Sequence, residues 1–370
     1  MKIVNVVGAR PNFMKIAPLI GEMQHAPGIS PLLVHTGQHY DEKMSQHFFD
    51  DLGIPKPDIN LEVGSGSHAQ QTGAILQRFE PIVVQEKPDL VLVVGDVNST
   101  IACALTAVKL GVRVAHVEAG LRSWDRSMPE EVNRVLTDAI SDYLFTTEER
   151  AEVNLVREGI ASEKIFFVGN TMIDSLLQHQ EKAMASPILT DLGLQAKEYC
   201  LATLHRPSNV DSKEVLHEIC QALTVVSETM PIVFPCHPRT RAKIEEWNFL
   251  KHSMTKNQKI GGSGDVTLCN PVGYLDFMKL MAEATVVITD SGGIQEETSI
   301  LKVPCLTVRP NTERPVTISH GTNKLIGNKK EDIIRETLEA IKRPRIGNDT
   351  PPLWDGKASS RIIDILLREF

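Results

Sequence analysis

The stretch IVNVVGARPNFMKIAPLIGEM, at positions 3–23, decides the fold class of this chain. Its apolar run at residues 3–7 has the length of a buried strand, and residues 13–23 have the length and the spacing of an amphipathic helix. Strand-length runs and helix-length stretches continue to alternate along the chain. This alternation is typical of βαβ units and predicts a parallel sheet.

The alternation occurs in two halves. Strand-length runs follow at residues 31–36, 90–94, 112–117, 143–146 and 165–168 and, after a polar, helix-prone stretch at 173–197, at 199–204, 232–235, 266–268, 285–289 and 305–308. We therefore predict an α/β protein of two Rossmann-like domains with parallel sheets. The predicted domains are residues 1–172 and 173–350, and residues 351–370 are expected to form a helix that packs back on the first domain. Ligands of open α/β sheets bind at the carboxyl ends of the strands, so we expect the active site in the cleft between the domains.

The composition excludes several classes of partner. Lys plus Arg total 39 against 47 Asp plus Glu, a net charge of −8, which does not favour binding to nucleic acid or to an anionic membrane. The sequence contains no apolar run near the ~18 residues that a membrane span requires, and Met1-Lys2-Ile3-Val4 leads directly into a strand. We expect a cytoplasmic enzyme that holds any bound phosphate in a local site.

The six cysteines do not predict a zinc site. They form no C-x-x-C pair and have no neighbouring histidine at zinc-finger spacing, so no metal site is expected. Cys103 and Cys220 lie in helical patterns and Cys305 lies in a strand-like run. We expect all three to behave as small buried hydrophobic residues.

The sharpest local motif is TDSGGIQEE, at positions 289–297, where a strand ends and a helix opens. Gly292 and Gly293 would let a diphosphate approach backbone N–H groups at the positive end of that helix, and Ser291 would add a hydroxyl donor. Glu297, one turn further on, could accept both hydroxyls of a ribose. The alternative is a tight turn in which Ser291 only caps the helix.

The first strand-to-helix turn, GARPNFMK at positions 8–15, lacks the G-x-G-x-x-G pattern, so the sequence contains no NAD fingerprint at this turn. Arg10 and Lys15 lie where cations are unfavourable for the helix dipole, which indicates an anionic ligand. The alternative is that both are solvated surface charges.

Carboxylates follow two buried strands and open the next helix. Asp96 and Glu118 each lie beside a glycine at a strand end, and Glu130 and Glu131 follow Pro129. Converging carboxylates can shift each other's pKa values apart, so that one serves as acid and another as base. The spacing does not decide which glutamate points inward; we choose Glu130. The alternative for a single acid is loop capping.

Two histidines follow strands of the second half, His205 in HRP (205–207) and His237 in CHPR (236–239). Histidine and arginine at strand ends can neutralise the charge that develops on a phosphate leaving group. The alternative is an ordinary packed or surface histidine.

Six motifs resemble the non-hydrolysing UDP-N-acetylglucosamine 2-epimerases over about residues 2–327: GARP (8–11) with Lys15, HTGQH (35–39), GD (95–96), HVEAGLR (116–122), PEE (129–131) and DSGGIQEE (290–297). The resemblance implies two Rossmann-like domains of the glycosyltransferase-B type in a homodimer, with a UDP-sugar substrate and no cofactor. It implies reversible conversion of UDP-N-acetylglucosamine to UDP-N-acetylmannosamine, in which UDP is eliminated to leave 2-acetamidoglucal and is then added back.

Site residues are carried over position by position. The resemblance implies that the catalytic residues are Asp96, Glu118, Glu130 and His205, and that the substrate-binding residues include Arg10, Lys15, Ser291, Gly292, Gly293 and Glu297. We also expect His237 and Arg314 to bind the substrate. Gln38 and His39 match a regulatory site for a second UDP-sugar. The stretch HAQQT (68–72) lacks the arginine that such a site normally includes.

Two segments that differ from the pattern of many family members leave the identity of the substrate open. HRPSN (205–209) and CHPRT (236–240) resemble relatives that act on modified sugars, such as UDP-linked 2,3-diacetamido-glucuronic acid, whereas TERP (312–315) favours N-acetylglucosamine. Functions of other classes are an inverting glycosyltransferase, a hydrolysing epimerase and a non-catalytic nucleotide-sugar sensor. The three acids at one edge argue against the first and the third.

Overall fold

The computed structural model describes residues 1–37, 53–250, 264, 266–343 and 349–370, apart from the Arg10 side chain. The chain divides into two compact units, residues 1–178 with 352–370 and residues 179–351. Among the described residues, no helix has the length and the apolar character that crossing a membrane requires.

The first unit is built on a seven-stranded parallel sheet in the order β3-β2-β1-β4-β5-β6-β7. Its strands are β1 (Lys2–Val7), β2 (Ser30–His35), β3 (Ile59–Asn60), β4 (Leu90–Val94), β5 (Arg113–Ala119), β6 (Tyr143–Thr146) and β7 (Ile165–Phe167). The helices that begin in this unit are Arg10–His25, His68–Glu86, Asn98–Lys109, Pro129–Ile140, Glu149–Arg157, Thr171–Met184 and Ala358–Glu369, with a 3-10 turn at Ser162–Lys164.

The second unit is built on a six-stranded parallel sheet in the order β10-β9-β8-β11-β12-β13. Its strands are β8 (Cys200–Thr203), β9 (Ile232–Pro235), β10 (Val266–Cys269), β11 (Val286–Thr289), β12 (Cys305–Thr307) and β13 (Asn323–Leu325). The helices are Ile188–Leu192, Pro207–Val210, Lys213–Ser227, Pro238–Glu246, Tyr274–Ala282, Gly292–Leu301, Val316–Ser319 and Lys330–Lys342.

Both sheets are covered on two faces, which is why their strands are continuous apolar runs. In β8, Cys200 and Ala202 belong to one buried cluster and Leu201 belongs to another. Val286 and Val287 divide between the same two clusters in β11. The structure confirms the predicted fold class of two α/β domains with parallel sheets, and all six cysteines are buried and free.

The strand order positions the sites. In each sheet the order reverses between two central neighbours, β1 and β4 in the first and β8 and β11 in the second. Loops diverge to opposite faces at such a switch point, and the space between them is the usual ligand position of an open α/β sheet. Asp96 follows β4, and Ser291 follows β11.

The C-terminal segment is anchored to the first unit by buried polar contacts. The indole of Trp354 donates to the carbonyl of Thr147 (2.8 Å). Asp174 accepts from the backbone amides of Ala358 (3.1 Å) and Ser359 (2.7 Å) at the start of the last helix. Gly169 lets the segment approach closely, because a Cβ there would lie 2.1 Å from the carbonyl oxygen of Leu353.

Gly169→Ala is expected to destabilise the first unit more than Gly159→Ala. Both glycines have positive φ, +91° and +86°, so each substitution introduces left-handed strain of about 1–2 kcal/mol. Only Gly169 faces the Leu353 carbonyl, whereas Gly159 faces open space. Overpacking adds about 1–3 kcal/mol at Gly169. Urea unfolding monitored by circular dichroism measures both variants, and equal losses would contradict the close approach.

Candidate active site

The first site lies in the first unit, at the carboxyl ends of β1, β4 and β5. Lys15 lies in the helix after β1, Asp96 follows β4, and Glu118 lies in the last part of β5. Parallel strands bring these three chain positions to one edge of the sheet. The sequence predicted this edge for Asp96 and Glu118 but did not predict that Lys15 lies beside them.

Glu118 is held in a strained conformation. Its φ is +74°, and the pairing of β5 with β6 shifts register between Val117 and Ala119, so Glu118 occupies a β-bulge. Its buried carboxylate forms an ion pair with the buried ammonium of Lys15 at 2.5 Å. Gly95, φ +67°, leaves room for this lysine, because a Cβ there would lie 3.0 Å from Lys15 Nζ. Strain of this kind costs about 1–3 kcal/mol and concentrates at functional sites.

Asp96 is paired with a different cation. Arg134 donates from Nε to Oδ2 of Asp96 (3.1 Å), and its Nη2 lies 2.9 Å from the same oxygen. The guanidinium is buried, whereas about one-fifth of the Asp96 side chain is exposed. Asn133 donates to the backbone carbonyl of Asp96 (2.9 Å). The carboxylate is therefore fixed in position and still accessible from one side.

The two neighbouring glutamates differ in their contacts. Glu131 is buried, pairs with Arg134, and accepts from the amides of Ser123 (3.0 Å) and Trp124 (2.9 Å). Glu130 is only partly buried, and the described residues give it no hydrogen-bond or ion-pair partner. Glu131 thus holds the loop before its helix and supports Arg134. The catalytic role of Glu130 stays a prediction, and its carboxylate is the one of the two that this loop does not engage.

A buried network lies behind these acids. His116 in β5 contacts the carbonyl of Gly95 through Nε2 (2.8 Å) and Asp138 through Nδ1 (2.6 Å). Asp138 also accepts from the amide of Gly120 (3.1 Å) and pairs with Arg122 (2.7 Å). Burial alone would raise the pKa of Asp138, but His116 and Arg122 outweigh burial and lower this pKa below its ordinary value. The network joins the ends of β4 and β5 to the helix that carries Arg134.

The second site lies in the second unit, where β11 leads into the helix Gly292–Leu301. Ser291 is the N-cap residue, but its hydroxyl accepts no hydrogen bond from the first turn of that helix. Its amide donates to the hydroxyl of Thr289 (3.0 Å). The structure therefore does not support the alternative that Ser291 serves only as a helix cap, and the positive helix end remains suited to an anion.

Arg314 lies directly against this helix end. Its guanidinium donates to Glu296 (2.7 Å) and Glu313 (2.6 Å) and is buried. A Cβ on Gly292 would lie 2.4 Å from Arg314 Nη1, so Gly292 is required for this close approach. Arg309 also pairs with Glu313, at 2.8 Å. The cluster places the guanidinium of Arg314 beside the start of this helix.

Glu297 is buried in the same helix. The hydroxyl of Tyr274 donates to its Oε1 at 3.0 Å. Burial, followed by the charge of Glu297, raises the pKa of Tyr274 well above its ordinary value, so this hydroxyl stays protonated as a donor. The ribose-binding role of Glu297 stays a prediction.

The two histidines predicted to belong to the site, His205 and His237, make different contacts. His205 follows β8, and its ring lies 3.0 Å from the carboxylate of Asp290. His237 caps the helix Pro238–Glu246 and accepts from the amide of Arg239 (3.3 Å) through Nδ1. The described contacts thus include a structural role for His237, and its contact with substrate stays a prediction.

The side chains of three predicted site residues are not among the groups that the structure describes. Arg10 begins the first helix, but its side chain is not among the described groups. Gln38 and His39, matched to a regulatory site, lie outside the described residues.

Three residues contact predicted site residues in the structure, although the sequence motifs gave them no role: Arg134, Tyr274 and Asp290. Arg134 lies four residues after Glu130 in one helix, so helical spacing could have placed it beside the acids. Asp290 lies inside the quoted loop motif. No sequence signal indicates Tyr274, because its partner Glu297 lies 23 positions away.

Known proteins are similar to this chain over nearly its whole length. The sequence model of the family described as UDP-N-acetylglucosamine 2-epimerase matches residues 21–367. A protein of Methanocaldococcus jannaschii named UDP-N-acetylglucosamine 2-epimerase is 44% identical over 376 residues, which cover 99% of each chain. A Pseudomonas aeruginosa protein named UDP-2,3-diacetamido-2,3-dideoxy-D-glucuronate 2-epimerase is 41% identical over 372 residues and all of both chains.

A solved structure agrees with the sequence comparisons. The crystal structure of the M. jannaschii UDP-GlcNAc 2-epimerase in complex with UDP-GlcNAc and UDP matches with a TM-score of 0.90 and 43% identity, covering 100% of both chains. With the family's motifs at the strand ends of two parallel sheets, these matches lead to one conclusion: the chain belongs to the UDP-N-acetylglucosamine 2-epimerase family.

Proposed function

We propose that this chain catalyses the reversible, non-hydrolysing epimerisation of UDP-N-acetylglucosamine to UDP-N-acetylmannosamine at C2. The observation that carries the proposal is the pair of acids at one sheet edge, Glu118 beside Lys15 and Asp96 beside Arg134. Inverting a carbon requires removing a proton from one face and returning a proton to the other, which two fixed carboxylates suit. Family membership and relatives that bear this name support the substrate.

The proposed reaction has two stages. A carboxylate removes the proton from C2, the C2–H electrons form a C1–C2 double bond, and the C1–O electrons leave with UDP, giving 2-acetamidoglucal. A carboxylic acid then adds a proton to the opposite face of C2, and an oxygen of the UDP β-phosphate bonds to C1. Atoms and charges balance without hydride transfer, so the scheme requires no redox cofactor.

The two units have different tasks in this proposal. Asp96, Glu118 and Glu130 of the first unit exchange protons with the sugar. Ser291, Gly292 and Gly293 of the second unit bind the diphosphate at the positive end of a ten-residue helix.

The remaining proposed roles follow the same division. Glu297 accepts hydrogen bonds from the ribose, and His205, His237 and Arg314 donate to the phosphates. Arg10 and Lys15 contribute positive charge near the nucleotide, although Lys15 already neutralises Glu118.

A modified sugar is the second candidate substrate. The relative named UDP-2,3-diacetamido-2,3-dideoxy-D-glucuronate 2-epimerase matches the whole chain at 41% identity, close to the 44% of the M. jannaschii relative. Both substrates would undergo the same reaction at C2. The residues that contact C3 and C6 of the sugar decide between them.

Incubation of the purified chain with UDP-N-acetylglucosamine in D2O tests the proposal. We expect proton and phosphorus NMR to show a mixture of the gluco and manno UDP-sugars with deuterium at C2 and UDP still attached. Net release of UDP with free N-acetylmannosamine would indicate a hydrolysing enzyme and contradict the proposal. An unchanged spectrum would also contradict it, and a parallel incubation with the diacetamido-glucuronate nucleotide would then identify the second candidate.

We also propose that the enzyme is a homodimer in the cytoplasm. The resemblance to the family supports the dimer. The six free, buried thiols suit a reducing compartment.

A further inference from the structure

Asp290 is a buried carboxylate to which the reaction scheme assigns no task. It lies between β11 and Ser291 and is fully buried. It accepts from the amides of His205 (3.0 Å) and Arg206 (3.0 Å), from the side chain of Asn209 (3.1 Å), and contacts Nδ1 of His205 (3.0 Å). Four groups from the loop and the short helix after β8 therefore converge on one carboxylate at the end of β11.

The contacts of the Asp290 carboxylate indicate its protonation state. Burial would raise the pKa of Asp290, but the hydrogen bond and charge of His205, with the amide of Arg206 and Asn209, lower this pKa below its ordinary value. An ionised carboxylate only accepts hydrogen bonds. Nδ1 of His205 must therefore carry a proton to form a favourable contact.

The other ring nitrogen of His205 is then defined as well. Half of the His205 side chain is exposed, while its partner is fully buried. With Nδ1–H directed to Asp290, Nε2 carries a lone pair in the neutral ring and an N–H in the imidazolium. The second form can donate to an oxygen of a departing diphosphate.

We propose that Asp290 is a positioning residue, which holds the Nδ1–H form of His205 so that Nε2 meets the UDP leaving group. This inference rests on the proposed function, because it assumes that His205 serves the departure of UDP. It also links two parts of the second unit, since Asp290 directly precedes the proposed diphosphate loop. A carboxylate in this relation to histidine fixes both the tautomer and the ring orientation.

A purely structural role is the competing explanation. Asp290 also accepts from two backbone amides and from Asn209, so under this explanation its loss disorders the segment 204–210 after β8. The two explanations differ in what happens to the ring of His205 and in how two substitutions combine. Both differences can be measured.

The first test uses the wild-type chain labelled with ¹⁵N-histidine. The His205 signals are assigned by their absence in His205→Asn. We expect the neutral ring to be protonated at Nδ1, whereas an unconstrained histidine favours Nε2–H. An Nε2–H ring in the folded wild-type chain would overturn the inference, whether or not the chain proves to be an epimerase.

The second test is a double-mutant cycle with Asp290→Asn and His205→Asn. We expect Asp290→Asn to lower kcat about tenfold with little change in KM, and to abolish the preference for Nδ1–H. The double variant should be no slower than His205→Asn alone, because Asp290 acts through the ring. Additive losses in kcat with an unchanged tautomer would overturn the inference in favour of a structural role.

Control variants distinguish a specific effect on His205 from a general loss of the fold. Asp191→Asn makes the same chemical change at an exposed position of the second unit and should keep wild-type rates. Thermal unfolding shows whether Asp290→Asn folds. If this variant does not fold, the tautomer of His205 in the wild-type chain still tests the inference. Full activity of His205→Asn would refute the role of His205 in the proposed function, which is a different result from loss of coupling to Asp290.

Discussion

Glu118→Gln and Asp96→Asn are each expected to lower kcat by roughly 10²- to 10⁴-fold, the range that general acid–base catalysis contributes. Each variant keeps an oxygen that Lys15 or Arg134 can still contact, so the fold and the cation should stay in place. What is lost is the ability to exchange a proton. Rates of epimerisation and of deuterium entry at C2, measured by NMR, test the expectation.

The affinity for UDP provides the internal control for these two variants. Calorimetry should give nearly wild-type Kd values, because neither carboxylate is assigned to the nucleotide. Glu163→Gln, a matched change at an exposed position of the first unit, should leave both rate and affinity unchanged. Near-normal deuterium entry in either active-site variant would remove that carboxylate from the proposed mechanism.

Glu297→Ala is expected to produce the opposite pattern, with UDP binding weakened roughly 10- to 100-fold. Hydrogen bonds to a charged group contribute about 1.5–3 kcal/mol, which corresponds to that range of Kd. At saturating substrate, kcat should change less than KM, since the ribose is remote from C2. Calorimetric titration with UDP measures the first effect, and steady-state kinetics measures the second.

Tyr274→Phe is the matched control for Glu297. It removes the hydroxyl that donates to Glu297 but leaves the carboxylate in the helix. We expect a smaller loss of UDP affinity than in Glu297→Ala. Equal losses in the two variants would indicate that Glu297 matters through its support of the local fold, and would argue against direct contact with the ribose.

Most of the fold could be predicted from the sequence, because strands buried on two faces are continuous apolar runs of distinctive length. Leu90–Val94, Tyr143–Thr146 and Ile232–Pro235 have the bounds that their apolar runs predicted. The short strands Ile59–Asn60 and Asn323–Leu325 were missed. Two or three residues are too few to show a pattern, and such strands exist because a neighbouring strand supplies their hydrogen bonds.

The candidate site could be predicted only in part. The motifs placed Asp96, Glu118 and Ser291 at strand ends, where the structure has them. The β-bulge at Glu118 left no signal, because a register shift is a property of two paired strands and not of one sequence segment. The sequence also could not distinguish Glu130 from Glu131, since adjacent positions at the start of a helix are equally compatible with the pattern.

The sequence by itself determined which chemical groups stand at the ends of which strands, because local apolar patterns and glycine-containing turns specify those positions. Only the tertiary structure decided how the charges pair: Lys15 with Glu118, Arg134 with Asp96, and His205 with Asp290. The partners lie 38 to 103 positions apart along the chain, as their numbers give by subtraction. Such pairs form when parallel strands bring distant loops to one edge, where burial makes an unpaired charge costly and so selects the partner.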